Sequence, residues 1–232
     1  MPDLSRYDFV DFGCSKGGSL EFGTKFFGGR GIGLDIDEAK VRKAIANGHD
    51  ALHLDVSSLD PATVGQTGFV LMSHFLEHLP KFAVASKCIA SACKISRDFV
   101  LIQQPYFDAD PYLFSNRMKV YWSDWRGHTL PMTTLQLYRA TRPLLGDIAR
   151  RVIICGRHKI LSSAAPEIHH ISSPDEQQKW DGSIHPPKAD IHFTYPVFKE
   201  TCVIILIGLD VLSPPLEKYL QRCEVIWDSD AQ

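Results

Sequence analysis

Near the start of this chain a strand signal runs directly into a turn of small residues. Tyr7 to Phe12 is a short apolar run, Gly13-Cys14-Ser15-Lys16-Gly17-Gly18 follows it, and Ser19 to Phe27 then shows helical spacing with Leu20 and Phe26 inward. Small residues at such a junction let the backbone approach a ligand, and the N-terminus of the departing helix favours an anion. The alternation then repeats. Gly31 to Asp35 reads as a second strand, and Asp37 caps a helix that Gly48 stops, with Glu38 and Arg42 as an i,i+4 pair. Ala51 to Leu54 and Gly68 to Met72 read as strands three and four, and Phe99 to Ile102 as the fifth. Between the last two, Lys81 to Cys93 places Phe82, Ala85, Cys88, Ile89 and Ala92 on one helical face. Strands alternating with helices at this spacing imply an α/β fold, doubly wound around a mostly parallel sheet with helices on both faces.

The second half is less regular. Thr134 to Thr141 reads as a helix ended near Pro143, Arg151 to Cys155 and Cys202 to Leu209 as two more strands, seven in all, and Leu216 to Arg222 as a last short helix. Pro105 to Pro131 gathers seven aromatics, Tyr106, Phe107, Tyr112, Phe114, Tyr121, Trp122 and Trp125. The stretch 159–199 is rich in Pro, His, Ser and Asp, and structureless loops of that length are usually lids or binding loops. With 232 residues and no internal repeat, one domain over 1–232 is expected, with 105–131 as a cover and 159–199 as an insertion. Hydrophobic residues at 44% and charged residues at 22% exclude wholesale disorder.

A net charge of −2 and the lack of a basic run argue against a nucleic-acid partner; Lys40, Arg42 and Lys43 form an ordinary helix face. The first residues lack a signal-peptide pattern and Val203 to Ile207 is too short an apolar run to span a bilayer, so a cytoplasmic protein with no membrane span is expected. None of the six cysteines forms a Cys-x-x-Cys pair, which argues against a zinc ribbon or redox motif.

Two acids complete the picture. Asp35 closes the second strand about twenty residues beyond the turn, where a carboxylate can take both hydroxyls of a ribose. Asp55 ends the third strand beside Val56. Asp11-Phe12-Gly13-Cys14-Ser15-Lys16-Gly17 resembles the glycine-rich first motif of class I S-adenosylmethionine-dependent methyltransferases. Gly33-Leu34-Asp35-Ile36-Asp37 is similar to that family's ribose-binding loop, and Leu54-Asp55-Val56 to its adenine-contacting segment. Ser73-His74-Phe75-Leu76-Glu77-His78-Leu79 resembles the stretch after the fourth strand of its small-molecule-type members. The resemblance runs as far as Pro105 and continues weakly through Gly127-His128-Thr129.

The resemblance implies S-adenosyl-L-methionine as cofactor and S-adenosyl-L-homocysteine as product. It places Asp11 and Gly13 near the methionine moiety and Gly17 at a helix start close to the ligand. Asp35 would hold the ribose, Ile36 would pack on the adenine, and Asp55 and the Val56 N–H would meet the adenine edge. Ser73 would line the pocket, and Cys14 would be a buried backbone-contact residue rather than a nucleophile. Ser15 replaces the middle glycine of the usual pattern; its hydroxyl either bonds the cofactor or narrows the pocket.

Rival patterns fit less well. Gly13-x-Ser15-x-Gly17 matches a hydrolase nucleophile elbow, but that fold needs strands and an oxyanion loop before it, and one strand precedes Gly13. His74-x-x-Glu77-His78 matches a zinc motif, but Pro80 ends the segment too soon for the helix that motif needs, so no metal is expected. The irregular spacing of His169, His170, His185 and His192 suggests solvated histidines. A nicotinamide oxidoreductase calls for Gly-x-Gly-x-x-Gly, whereas Gly13-x-Ser15-x-Gly17-Gly18 has the wrong spacing, and Asp55 would be left unexplained.

Methyl transfer from a sulfonium needs alignment and exclusion of water, and a base only where the acceptor atom is protonated. His128, then His74, then Tyr106 are the candidates for a base or acceptor-orienting group, since each follows a strand tip or sits in the aromatic segment. The stretch after the fourth strand lacks the Asn-Pro-Pro-aromatic signature of base-modifying enzymes, so a small-molecule, sugar or lipid-like acceptor is expected. The first strand lies almost at the start, so the cover has to come from 105–130, from 159–199 or from a second subunit of a homodimer. Binding and catalysis share the same motifs, which keeps a catalytically silent binder or scaffold open.

Overall fold

The structure, a computed structural model, describes residues 2–209 and 211–231. In chain order its elements are β1 (Phe9–Phe12), α1 (Gly18–Phe26), β2 (Gly31–Asp35), α2 (Glu38–Ala46), β3 (Asp50–His53), α3 (Pro61–Val64), β4 (Thr67–Ser73), α4 (Phe82–Ile95) and β5 (Ser96–Pro105). They continue with α5 (Asp110–Ser115), β6 (Met118–Val120), α6 (Thr134–Thr141), β7 (Arg151–Lys159), β8 (Ile168–His170), β9 (Phe198–Leu206), α7 (Pro214–Leu220) and β10 (Cys223–Asp228). Local chemistry sets the ends. Asp37 caps α2 by accepting from the N–H groups of Ala39 and Lys40, and Thr133 and Gln136 form a reciprocal capping box on α6.

The main sheet has eight strands in the order β10-β7-β9-β5-β4-β1-β2-β3. The pairings among β1 to β5 are parallel, whereas β9 is antiparallel to β5 and β7, and β10 to β7. Six strands therefore point one way, and the mostly parallel doubly wound sheet is as expected. The count of seven is corrected to eight. The extra strand, β10, is an edge with largely exposed side chains and a register shift between Val225 and Trp227, so it carries no alternating pattern.

Both sheet faces are buried, and the side-chain period of two sorts each strand between them. Val10 and Phe12, Val70 and Met72, and Val100 and Ile102 face α3, α4 and α6. Phe9, Phe69 with Leu71, and Phe99 with Leu101 face α1, α2 and α7. The parallel register puts Phe9 beside Phe69 and Phe69 beside Phe99. Their rings stack at 4.8 and 4.7 Å, the spacing of neighbouring strands, and Phe27 tilts over the stack.

The two irregular segments build each other. β6, from the aromatic stretch, pairs antiparallel with β8, from the 159–199 excursion, in a separate two-stranded sheet. Tyr106, Phe107, Leu113, Ile160, Ile168 and Phe198 pack in the apolar cluster beneath it. Buried Lys119 fastens the layer: its ammonium pairs with Asp124, donates to the Ser173 carbonyl at 2.8 Å and reaches Asp175 at 3.4 Å. No helix among the described residues is long and apolar enough to cross a membrane.

Two stability measurements test this packing. Phe69→Ala removes the middle ring of the stack and is expected to cost about 3–5 kcal/mol in urea unfolding; a loss below about 1 kcal/mol would contradict the stack's role. Asp11, in β1, is fully buried, and one of its carboxylate oxygens has no partner. Burial, opposed by the Ser19 hydroxyl and helped by the charge of Asp35, pushes its carboxyl up to about 7. Between the unfolded value of 3.8 and about 7 only the unfolded chain has lost the proton. Stability therefore falls across that window as pH rises, by on the order of 1.4 kcal/mol per unit. Asp11→Asn should melt like wild type near pH 4 and above it at pH 8; the same difference at both would contradict the buried acid.

Candidate functional site

Two adjoining cavities open where the parallel strands end at their carboxyl tips. The larger, about 700 Å³, lies between the turn after β1, the ends of β2 and β3, and the segment after β4. The turn is shaped by glycine where glycine is needed. Gly13 has φ +77°, and a Cβ there would sit 2.5 Å from the Phe75 ring. Gly17 starts α1 with φ +96°, and a Cβ there would lie 2.2 Å from the His49 ring. Ser15 also has a positive φ, +50°, a conformation uncommon for a residue with a side chain.

Asp35 holds that turn in place. One carboxylate oxygen accepts from the Ser15 N–H and the other from the Asp37 N–H, both at 2.8 Å. A carboxylate oxygen has two lone pairs, so each keeps acceptor capacity toward the cavity that Asp35 lines. Beside it Ile36 is 67% exposed, a large apolar side chain held in the open at the rim. Asp55 caps the following turn through the Ser57 N–H at 2.9 Å, and Val56 lies buried next to it. Gly13, Cys14, Ser15, Asp35, Ile36, Asp55, Val56 and Ser73 thus share one cavity wall. Asp11 and Gly17 do not line it: Asp11 lies beneath the turn, and the constraint on Gly17 comes from His49. Burial, then the charges of Asp11 and Asp35, pushes the Cys14 thiol up to about 12, so it stays protonated.

The smaller cavity, about 440 Å³, shares His74 and His78 with the first. Tyr121, Trp122 and Trp125 form an aromatic wall, and Glu167, Lys199 and Glu200 supply charge. His74 follows β4 with φ +50° and sits between two carboxylates, 3.4 Å from Glu77 and 3.6 Å from Glu200. Burial works against its charge, but the two facing carboxylates prevail and push it up to about 10. It holds its proton at neutral pH and is not a base there. Burial shifts His128 the other way, below the ordinary histidine value.

Tyr106 is not brought to either cavity. Its ring packs edge-on against Phe198, its carbonyl accepts from the Trp122 indole at 2.9 Å, and burial pushes the phenol up. Nor are His169 and His185 solvated histidines. Both are buried, with rings 4.5 Å apart, and burial with the neighbouring His185 brings His169 down to about 4. Residues that sequence reasoning left out of the site include Phe75 and Leu79 on the first cavity and Glu200 on the second. Glu200 lies in β9 and carried no local signal.

No family model matches the sequence, and no curated protein matches it. Solved structures do. A SAM-dependent methyltransferase from Archaeoglobus fulgidus aligns with TM-score 0.56 at 18% identity, covering 85% of each chain. One from Methanosarcina mazei aligns with TM-score 0.52 at 13% identity, covering 90% of this chain and 95% of its own. Magnesium protoporphyrin IX methyltransferase from Synechocystis, solved with bound SAH, aligns with TM-score 0.50 at 14% identity, covering 89% and 75%. These alignments span most of each chain, and the likeness is one of fold: the chain has the Rossmann-like fold of the class I S-adenosylmethionine-dependent methyltransferases.

Proposed function

We propose that this protein binds S-adenosylmethionine in the larger cavity and transfers its methyl group to a small acceptor held in the smaller one. The single observation that carries this reading is the joining of the two cavities across His74 and His78. A donor in one and an acceptor in the other would meet at that boundary, which is what in-line transfer requires.

The residues fit the cofactor. The volume of the larger cavity lies in the range of small-ligand sites. The unused acceptor capacity of Asp35 suits a pair of ribose hydroxyls, exposed Ile36 offers an apolar face to a purine, and Asp55 offers a carboxylate to its amino edge. The bound group supplies a methyl carbon already activated by a sulfonium. The chain's own part is to orient and to exclude water. Asp35 fixes the turn that the cofactor rests on, and Phe75 backs that turn from below. Trp122 and Trp125 wall the acceptor side, and the unprotonated ring nitrogen of His128 orients the acceptor. The aromatic wall with flanking Glu167, Lys199 and Glu200 suits a small molecule with one apolar face and several polar substituents, a sugar being one such class. Stretch 105–131 and stretch 159–199 act together as the cover, within one domain.

Calorimetric titration with S-adenosylhomocysteine tests the reading. Wild type is expected to bind, and Asp35→Ala to weaken binding at least about tenfold, the value of one or two charge-assisted hydrogen bonds. Asp35 also braces the turn, so Ile36→Ser serves as a second variant; its side chain is exposed, and folding should be untouched while affinity falls. A folded wild type that does not bind would overturn the proposal. Trp125→Ala should keep S-adenosylhomocysteine affinity and lose turnover with the acceptor found in a metabolite screen. Binding without turnover on any acceptor would leave a cofactor-binding protein instead of an enzyme.

A further inference from the structure

At the boundary of the two cavities lies a cluster that the cofactor does not account for. Glu77, His78 and His128 each present a donor atom, and the three atoms lie within 4.8 Å of one another. Glu77 is fully buried, and neither carboxylate oxygen has a hydrogen-bond partner. The protonated His74 ring faces it at 3.4 Å, beyond a good charge-assisted bond, so the carboxylate is only partly compensated. A buried carboxylate so weakly paired is costly, and a closer positive partner would stabilise it.

His78 and His128 are arranged to hold such a partner there. Nδ1 of His78 lies 2.7 Å from the Gly127 carbonyl, and Nδ1 of His128 lies 2.9 Å from the Trp122 carbonyl. A carbonyl oxygen only accepts, so each Nδ1 carries a proton, and in the neutral ring Nε2 is the atom with the lone pair. A backbone carbonyl fixing one ring nitrogen so that the other can ligate is the usual outer support of a metal-bound histidine. The two halves are also clamped. The Leu130 N–H donates to the Glu77 carbonyl at 3.0 Å, and the Thr129 hydroxyl donates to the Leu79 carbonyl at 2.9 Å. The rings of His78 and His128 are 5.2 Å apart as a result.

We infer that Glu77, His78 and His128 form a site for one divalent cation of the zinc type, with an open position toward the smaller cavity. Two imidazoles and a carboxylate are a donor set that such ions take, with three protein ligands and one exchangeable position. Bonds of about 2.0–2.1 Å put tetrahedral donors about 3.3 Å apart, so modest side-chain rotation closes the set. All three residues line the smaller cavity, so that open position faces the acceptor. Resting on the function proposed above, an oxygen of the acceptor completes the shell, and His128 then orients the acceptor through the cation. The set differs from the His74–His78 pair of the sequence motif: the short turn Leu76–His78 places Glu77 and His78 together, and the loop at His128 supplies the third donor.

Titration of the metal-free protein with Co²⁺ and Zn²⁺, followed by visible absorption and calorimetry, tests the site. One ion per chain and the intense visible bands of low-coordinate cobalt are expected. His78→Ala, His128→Ala and Glu77→Gln should each weaken uptake by at least about tenfold to a hundredfold. Circular dichroism on all three variants, and S-adenosylhomocysteine affinity on His128→Ala and Glu77→Gln, which do not line the larger cavity, separate loss of the site from loss of the fold. Protein that binds S-adenosylhomocysteine but takes up neither ion, or folded variants that bind as wild type does, would overturn the inference. Uptake lost in the variants of a protein that never binds S-adenosylhomocysteine would support the metal site and overturn the function proposed above. Acetohydroxamate, a small oxygen ligand, should perturb the cobalt spectrum; an unmoved spectrum would make the site closed and overturn its acceptor role.

Discussion

Between β1 and β4 the sheet reverses its direction of growth, and the rest of the molecule is arranged around that reversal. β2 and β3 extend it one way, with α1 and α2 on one face; β5 extends it the other way, with α4 on the opposite face. Crossovers between parallel strands are almost always right-handed, so connections leaving on the two sides must pass to opposite faces. The loops after β1 and β4 part from each other, and a crevice is left at the strand tips. The stacked phenylalanines of β1, β4 and β5 hold the strands on either side of it in register.

The half of the chain with regular crossovers was the legible half. Strands β1 to β5 are buried on both faces and read as apolar runs bounded by glycine or acid, and α2 and α4 show their inward faces as periodic letters. The wall of the first cavity follows from the same letters, since a turn after β1 and acids at the ends of β2 and β3 land together in any sheet of this order. What escaped was short or distant. Met118-Lys119-Val120 and Ile168-His169-His170 are three-residue strands with a charge or imidazole in the middle, and neither shows a period. β10 is an edge whose exposed residues have no core to alternate against. Tyr106 looked like a strand-tip residue open to ligand. Instead, the backbone turns its ring into the second cluster, where aromatic packing claims it.

The two cavities also differ in how their polar groups are satisfied. Around the first, Asp35, Asp37 and Asp55 are engaged by backbone N–H groups, so the wall is rigid before any ligand arrives. Around the second, Glu77 accepts no hydrogen bond and meets only the His74 ring at 3.4 Å, itself wedged between two acids. A braced wall is suited to a partner that is always the same. An underpaired boundary stores unmet electrostatic demand, which a ligand or ion entering there would relieve.

The pairing of β6 with β8 makes the two irregular stretches depend on each other. The two strands come from stretches of chain far apart in sequence, and each finds its only ladder partner among the described residues in the other. Replacing 159–199 alone would leave β6 with unmet backbone groups and strip Lys119 of two of its three partners, Ser173 and Asp175. The layer is therefore a bipartite unit, in which a change to one piece needs a matching change in the other.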